Sequence, residues 1–103
     1  MNKFIGIGGL TKSVEIRYTA QGLAIANFTL AIKRETKEDE ADYINCVAYN
    51  KTAELIGKYL DKGSQVAIEG RIQTGSYENK EGKKVYTTDV VVDKVKFLSK
   101  KGE

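Results

Sequence analysis

The sequence predicts an all-β fold: five strands forming a partly open barrel, with one short α-helix between strands 3 and 4. Three observations carry that expectation. Several segments alternate apolar and polar residues with the period of two that half-buries a strand. A single stretch between two of them has helical spacing instead. Glycines break the first strand, where a barrel bends or admits another backbone at close range.

The elements follow in order. Asn2–Leu10 (NKFIGIGGL) is the first strand, interrupted by Gly6, Gly8 and Gly9. Ser13–Thr19 reads as its half-buried continuation, with Val14, Ile16 and Tyr18 opposed to Glu15 and Arg17. Gln21-Gly22 marks a turn. Ala24–Lys33 is the second strand, with Ala26, Phe28, Leu30 and Ile32 on one face. A polar loop, Arg34–Asp42, leads to the third strand, Tyr43–Tyr49. Because side chains alternate, Ile44, Cys46 and Ala48 face the core, while Tyr43, Asn45, Val47 and Tyr49 face away.

The helical stretch comes next. Asn50 is positioned to cap it, and Ala53, Ile56 and Leu60, with Tyr59, form its apolar stripe. Asp61-Lys62-Gly63 ends it, with glycine just past the last periodic residue. The fourth strand, Gln65–Tyr77, turns Val66, Ile68, Gly70 and Ile72 inward; Ala67, Glu69, Arg71 and Gln73 face out, and continued alternation puts Tyr77 with them. Asn79–Lys84 is a hairpin loop with Gly82 in the left-handed position. Val85–Leu98 closes the set, and its run Val90-Val91-Val92 calls for a bulge or burial on both sides. This is the layout of the OB-fold. Residues from Ser99 onward read as a frayed end.

Composition narrows the chemistry. The 103 residues make one domain. There is no histidine, which removes imidazole acid–base work, and a single cysteine, Cys46, which excludes an intramolecular disulfide. No apolar run approaches the length of a membrane span or signal sequence. Catalysis would rest on lysines, tyrosines and carboxylates alone, and neither the Gly6–Gly9 run nor the acids Asp39, Glu40 and Asp42 have the spacing of a phosphate or calcium loop. The expectation is a binding protein rather than an enzyme, without cofactor or metal. Cys46, on the inward face, reads as core.

The net charge of +3 conceals an asymmetry. Residues 35–42 hold five acids and one base; outside them 16 bases face nine acids. Most of the domain therefore has the positive surplus that attracts a polyanion, although lysines also serve solubility alone. Tyr43, Tyr49 and Tyr77 share the outward parity, offering flat π surfaces on which unpaired bases stack. The competing reading buries these rings against a partner subunit. Basic residues interleave with them: Lys33 and Arg34 end the second strand, Lys51 follows Tyr49, Arg71 shares the strand of Tyr77, and Lys80, Lys83 and Lys84 decorate the hairpin.

From about Asn2 to Leu98 the chain resembles the bacterial and phage single-stranded DNA-binding proteins, the homotetrameric OB-fold type. The resemblance rests on NKFIGIGGLTK, EIRYTAQG, ANFTLAIKR, ADYINCVAYNKTAELIGKYLDKGSQVAIEGRIQT and YTTDVVVDKVKFL in that order. It implies an OB-fold single-stranded DNA-binding domain over residues 1–99, acting in replication, recombination and repair without marked sequence preference. Tyr43, Tyr49 and Tyr77 fall where the family places stacking aromatics; Lys3, Arg17, Lys51 and Lys62 fall at basic positions near the DNA backbone. Lys33, Arg34 and Arg71 join them on charge and parity. The resemblance also implies a homotetramer, with the first strand pairing between subunits, and a cytoplasmic setting, in the bacterial nucleoid or in the host of a phage.

Two features depart from the family pattern. The loop at 35–42 is short and acidic and lacks an aromatic. Residues 100–103 (KKGE) are a short end in place of the acidic, apolar tail tip through which relatives recruit replication and repair enzymes. Two rival expectations stand beside the main one: an OB-fold adaptor in a primosome or recombination complex, and a protein-interaction module with incidental nucleic-acid binding.

Overall fold

The computed structural model describes residues 1–37 and 39–99. Glu38 of the acidic loop and the short end at 100–103 lie outside the described residues. Six strands and one helix follow in the order β1 (Phe4–Leu10), β2 (Glu15–Tyr18), β3 (Ala24–Lys33), β4 (Ala41–Tyr49), α1 (Asn50–Tyr59), β5 (Gln65–Glu78) and β6 (Lys84–Ser99). They form one sheet in the order β1-β5-β6-β4-β3-β2, closed by a second pairing of β1 with β3. This is the expected OB barrel, but the expected first strand is divided into β1 and β2, so the helix falls between β4 and β5.

That division follows from pairing. Along Phe4–Gly9, β1 runs antiparallel to β5, and its last residues, Gly9 and Leu10, cross to Ala31 and Leu30 of β3. β2 pairs only with β3, Glu15 opposite Asn27 through Tyr18 opposite Ala24. One strand thus serves two neighbours, and the backbones meet closely at the crossing. A Cβ on Gly8 would overlap the Ala31 carbonyl there, and a similar approach on β5 would make one on Gly70 overlap the Val91 carbonyl of β6. Glycine is the residue that permits such an approach.

The alternation read in β3 and β4 survives intact. Ala24, Ala26, Phe28, Leu30, Cys46 and Ala48 are buried, joined by Val66 and Ile68 of β5. α1 closes one end of this core with Ala53 and Ile56, and Leu60 follows them in. The valine run resolves as both alternatives at once. Val90, Val91 and Val92 are all buried, and the β5–β6 register shifts between Glu69 and Gly70, leaving Asp93 as the extra residue of a bulge.

Five expectations need correction. Ile72 is exposed rather than inward, because β1 covers β5 only as far as the Phe4–Gly70 pair; past it, the backbone of Ile72 is met on the β1 side only by the side-chain amide of Asn2, at 2.7 and 2.8 Å. Tyr18 is exposed because β2 has a single neighbour. Asn50 does not cap α1. Tyr49 is the N-cap with no side-chain bond, and Asn50 takes a left-handed φ of 57°, a conformation asparagine tolerates better than most residues. The helix also stops at Tyr59 with Leu60 extended, so Gly63 belongs to a separate turn in which Ser64 N–H donates to Asp61 O at 3.0 Å. Tyr59 lies outside the buried stripe and packs on Phe97 at 5.6 Å between ring centroids. The hairpin at 79–84 is as expected, with Gly82 at φ 80°.

Candidate nucleic-acid interface

The outward face of β3 and β4 is a set of cross-strand rows. Tyr43 stands opposite Ala31, Asn45 opposite Thr29, Val47 opposite Asn27 and Tyr49 opposite Ile25. β2 extends two of these rows, with Glu15 opposite Asn27 and Arg17 opposite Ile25. Arg17, Ile25 and Tyr49 therefore lie in one row across three strands, with Lys51 two residues beyond Tyr49. Lys33, two residues past Ala31 on β3, sits diagonally from Tyr43, within reach of a long side chain. Behind this surface Phe28, Leu30, Cys46 and Ala48 are packed in the core, so Tyr43 and Tyr49 are exposed rings on a rigid base. Burial, and secondarily the charge of Asp89, push the Cys46 thiol up to about 12. It is protonated and unreactive near neutral pH.

Tyr77 occupies a different setting. Beyond Gly70, β5 pairs only with β6, and this two-stranded arm runs out to Glu78 opposite Lys84. Arg71, Gln73 and Tyr77 share one face of the arm by alternation, about 20 Å separating Arg71 from Tyr77 at the usual strand rise. Arg71 Nη1 donates to Gln73 Oε1 at 2.8 Å. Tyr86, opposite Ser76, lies on the other face, and Lys84 Nζ sits 5.5 Å from its ring centroid.

The remaining cations are differently engaged. Arg34 is held by its own loop: Nη2 lies 2.8 Å from Asp42 Oδ1, and Nη1 lies 3.0 Å from Glu40 Oε2. The bond from Arg34 holds the Asp42 carboxyl below the ordinary carboxylate range, and the bond to Asp42 and its charge raise the guanidinium further. Lys3 Nζ meets Glu69 at 3.1 Å beside the β1–β5 pair. Lys62 lies in the turn after α1, at the end of the barrel where Gly63 N–H donates to Leu10 O at 2.8 Å. The structure thus gathers Arg17, Lys33, Tyr43, Tyr49 and Lys51 on one side of the barrel. Arg71 and Tyr77 stand out along the arm, while Lys3, Arg34 and Lys62 stand apart from that group, the first two paired with carboxylates.

Sequence reading gave no role to Asn27, Thr29, Asn45 and Asp89, which together line a polar cavity of about 250 Å³ with Lys12 and Glu15. Strand parity sets Asn45 on the outward face, and that is the signal the sequence offers for it. Asp89 needed the register of β6. Among the described residues no group of three or more histidines, cysteines, aspartates or glutamates is arranged to hold a metal ion, and no helix is long and apolar enough to cross a membrane.

A closed OB barrel with exposed tyrosines and cations across its open sheet face is the class this geometry defines. Residues 1–98 match the single-strand binding protein family, and the chain belongs to that family. It is similar to the single-stranded DNA-binding protein of Clostridium perfringens, 52% identical over 95% of this chain and 66% of the relative. To the protein of that name from Halalkalibacterium halodurans it is 47% identical, over 99% of this chain and 63% of the relative. Single-stranded DNA-binding protein B of Bacillus subtilis is 49% identical over 97% of this chain and 92% of its own length. The chain thus spans slightly under two thirds of the first two relatives.

Proposed function

We propose that this protein binds single-stranded DNA with little sequence preference, stacking bases on Tyr43, Tyr49 and Tyr77 while lysines and arginines neutralise phosphates. The observation that carries the reading is the row of Arg17, Ile25 and Tyr49, with Tyr43 and Lys33 beside it, on a face whose rear is packed into the core. A single strand needs this pairing of cations for its backbone and flat rings for its bases. Membership of the family and the names of the relatives support the same reading. Its setting is the replication, recombination and repair of DNA.

Lys51, Arg71 and Lys62 are the further phosphate contacts in this proposal. Lys3 and Arg34 join them only by exchanging a carboxylate for a phosphate. We also propose a homotetramer. Ile5 and Ile7 on β1 are exposed at 70% and 60%, an apolar strand face that a second copy would cover.

Titration with oligo(dT), and separately with duplex of equal length, across a salt series tests the reading. Tight single-strand binding with quenched tyrosine emission and weak duplex binding is the expected result. No binding at low salt, or affinity within twofold of the parent after truncating all three tyrosines, overturns it. Mass in solution tests the tetramer, since a dimer of about 23 kDa, twice the 11.4 kDa chain, would contradict it.

A further inference from the structure

The face that is to receive a polyanion carries a carboxylate. Thr29 and Asn45 are register partners on β3 and β4, as are Gln73 and Asp89 on β5 and β6. β4 and β6 run parallel with Cys46 opposite Val90, which sets Asn45 beside Asp89. These two residues form the wall between two cavities, the polar one of about 250 Å³ and a second of about 270 Å³ that Tyr43 also lines. Asp89 is half-buried, and the side chains of Asp89 and Asn45 have no hydrogen-bond or ion-pair partner among the described residues.

The Asp89 oxygens are free to accept from a donor that arrives with the ligand, and a phosphate brought near the carboxylate is repelled. What satisfies it on a DNA-binding surface is the edge of a base. Cytosine and adenine carry an exocyclic amino donor beside a ring-nitrogen acceptor. Thymine presents carbonyls on both sides of its ring N–H. An aspartate accepts from the amino group, and an asparagine amide donates to the ring nitrogen.

We infer that Asn45 and Asp89 form a base-reading subsite that takes an amino-bearing base edge, of the cytosine or adenine type, and disfavours thymine. The inference rests on the proposed single-strand binding. A single reading position beside tyrosines that stack on any base shifts preference without denying entry to any sequence, and Tyr43 at the neighbouring cavity supplies the ring on which the read base stacks.

The test compares affinities for oligo(dC) and oligo(dT) of equal length at one salt concentration, in the parent and in Asp89→Ala. Removing a negative charge strengthens every complex, so the ratio of the two affinities carries the result and cancels differences in strand flexibility. The dC-to-dT ratio is expected to fall by about fivefold in Asp89→Ala, as for loss of a base-edge contact, and in the same direction but less in Asn45→Ala. The parent protein should lose a similar factor when cytosine is replaced by N4,N4-dimethylcytosine, which has no amino donor; this arm decides the matter even where a variant fails to fold. A ratio unchanged within twofold in a folded Asp89→Ala, or dimethylcytosine bound as well as cytosine, overturns the subsite and leaves single-strand binding standing. No binding to any oligonucleotide at low salt overturns the underlying reading and the subsite with it.

Discussion

Tyr49 and Tyr77 are both exposed rings on β-strands, at 44% and 58%, yet they stand on different supports. Tyr49 ends a strand paired with β3, whose own far side is held by β2, and the fully buried Ala48 and Leu30 lie behind that surface. Tyr77 stands near the tip of an arm in which β5 has only β6 beside it, and every residue of β5 from Arg71 to Glu78 is exposed. A ring on a packed sheet is already oriented when a base arrives. A ring on a two-stranded arm loses freedom on binding, which offsets part of its stacking. The same side chain therefore contributes differently according to what lies behind it.

The largest test of this contrast is stability. Leu30→Ala should cost about 2–5 kcal/mol in urea unfolding, as truncation in a packed core does. Tyr86→Ala on the arm should stay within about 0.5 kcal/mol of the parent. Comparable losses would mean that the arm is as much a part of the cooperative core as the barrel.

Binding comes next. Tyr49→Ala or Tyr43→Ala should weaken oligo(dT) binding by about 1–3 kcal/mol, at the lower end for tyrosine, and Tyr77→Ala by less than about 1 kcal/mol. A larger loss at Tyr77, read by fluorescence titration, would show that the arm closes on the strand and becomes ordered there.

A smaller effect separates cations that stand open from one that is already paired. Arg17→Ala should reduce the slope of log affinity against log salt by about 0.7, one phosphate's share for a single strand. Arg34→Ala should change it by less than half of that, because Arg34 exchanges Asp42 and Glu40 for any phosphate it meets.

The smallest effect is the acid response of that pair. The folded-state pKa of Asp42 is lowered, so the pair's contribution is complete above the ordinary aspartate range and is lost as pH falls through the lowered value. The Asp42 carboxyl carbon, followed by NMR, should titrate below the ordinary aspartate range. Arg34→Gln should return it to that range, and an unchanged midpoint would remove the pairing as its cause. Both groups are exposed, so little global stability depends on the pair.

Much of the barrel was legible because a half-buried strand writes its face into the sequence. Ala26, Phe28 and Leu30 alternate with Ile25, Asn27 and Thr29, and the same alternation put Tyr43, Asn45 and Tyr49 on the open side. It misled at Ile72, where the period continues but the covering strand has ended, and at Tyr18, where an edge strand has nothing above it. Asn50 misled in another way, since a residue favoured at helix caps also tolerates the left-handed backbone it adopts here. At the candidate site the sequence supplied the ring and cation types. The acidic loop was visible as a charge run, but its hold on Arg34 depends on a loop geometry that composition does not encode.

By itself the sequence determined most of the strand faces, the helix that closes one end of the core and the lack of histidine and of an intramolecular disulfide. Each follows from local periodicity or from residue types present and missing. Only the tertiary structure decided which side chains from distant segments share a surface: Arg17 with Tyr49, Lys3 with Glu69, and Asn45 with Asp89 between two cavities. Those neighbours depend on strand order, register and the bulge at Asp93, which arise from closing the barrel and are carried by no single segment.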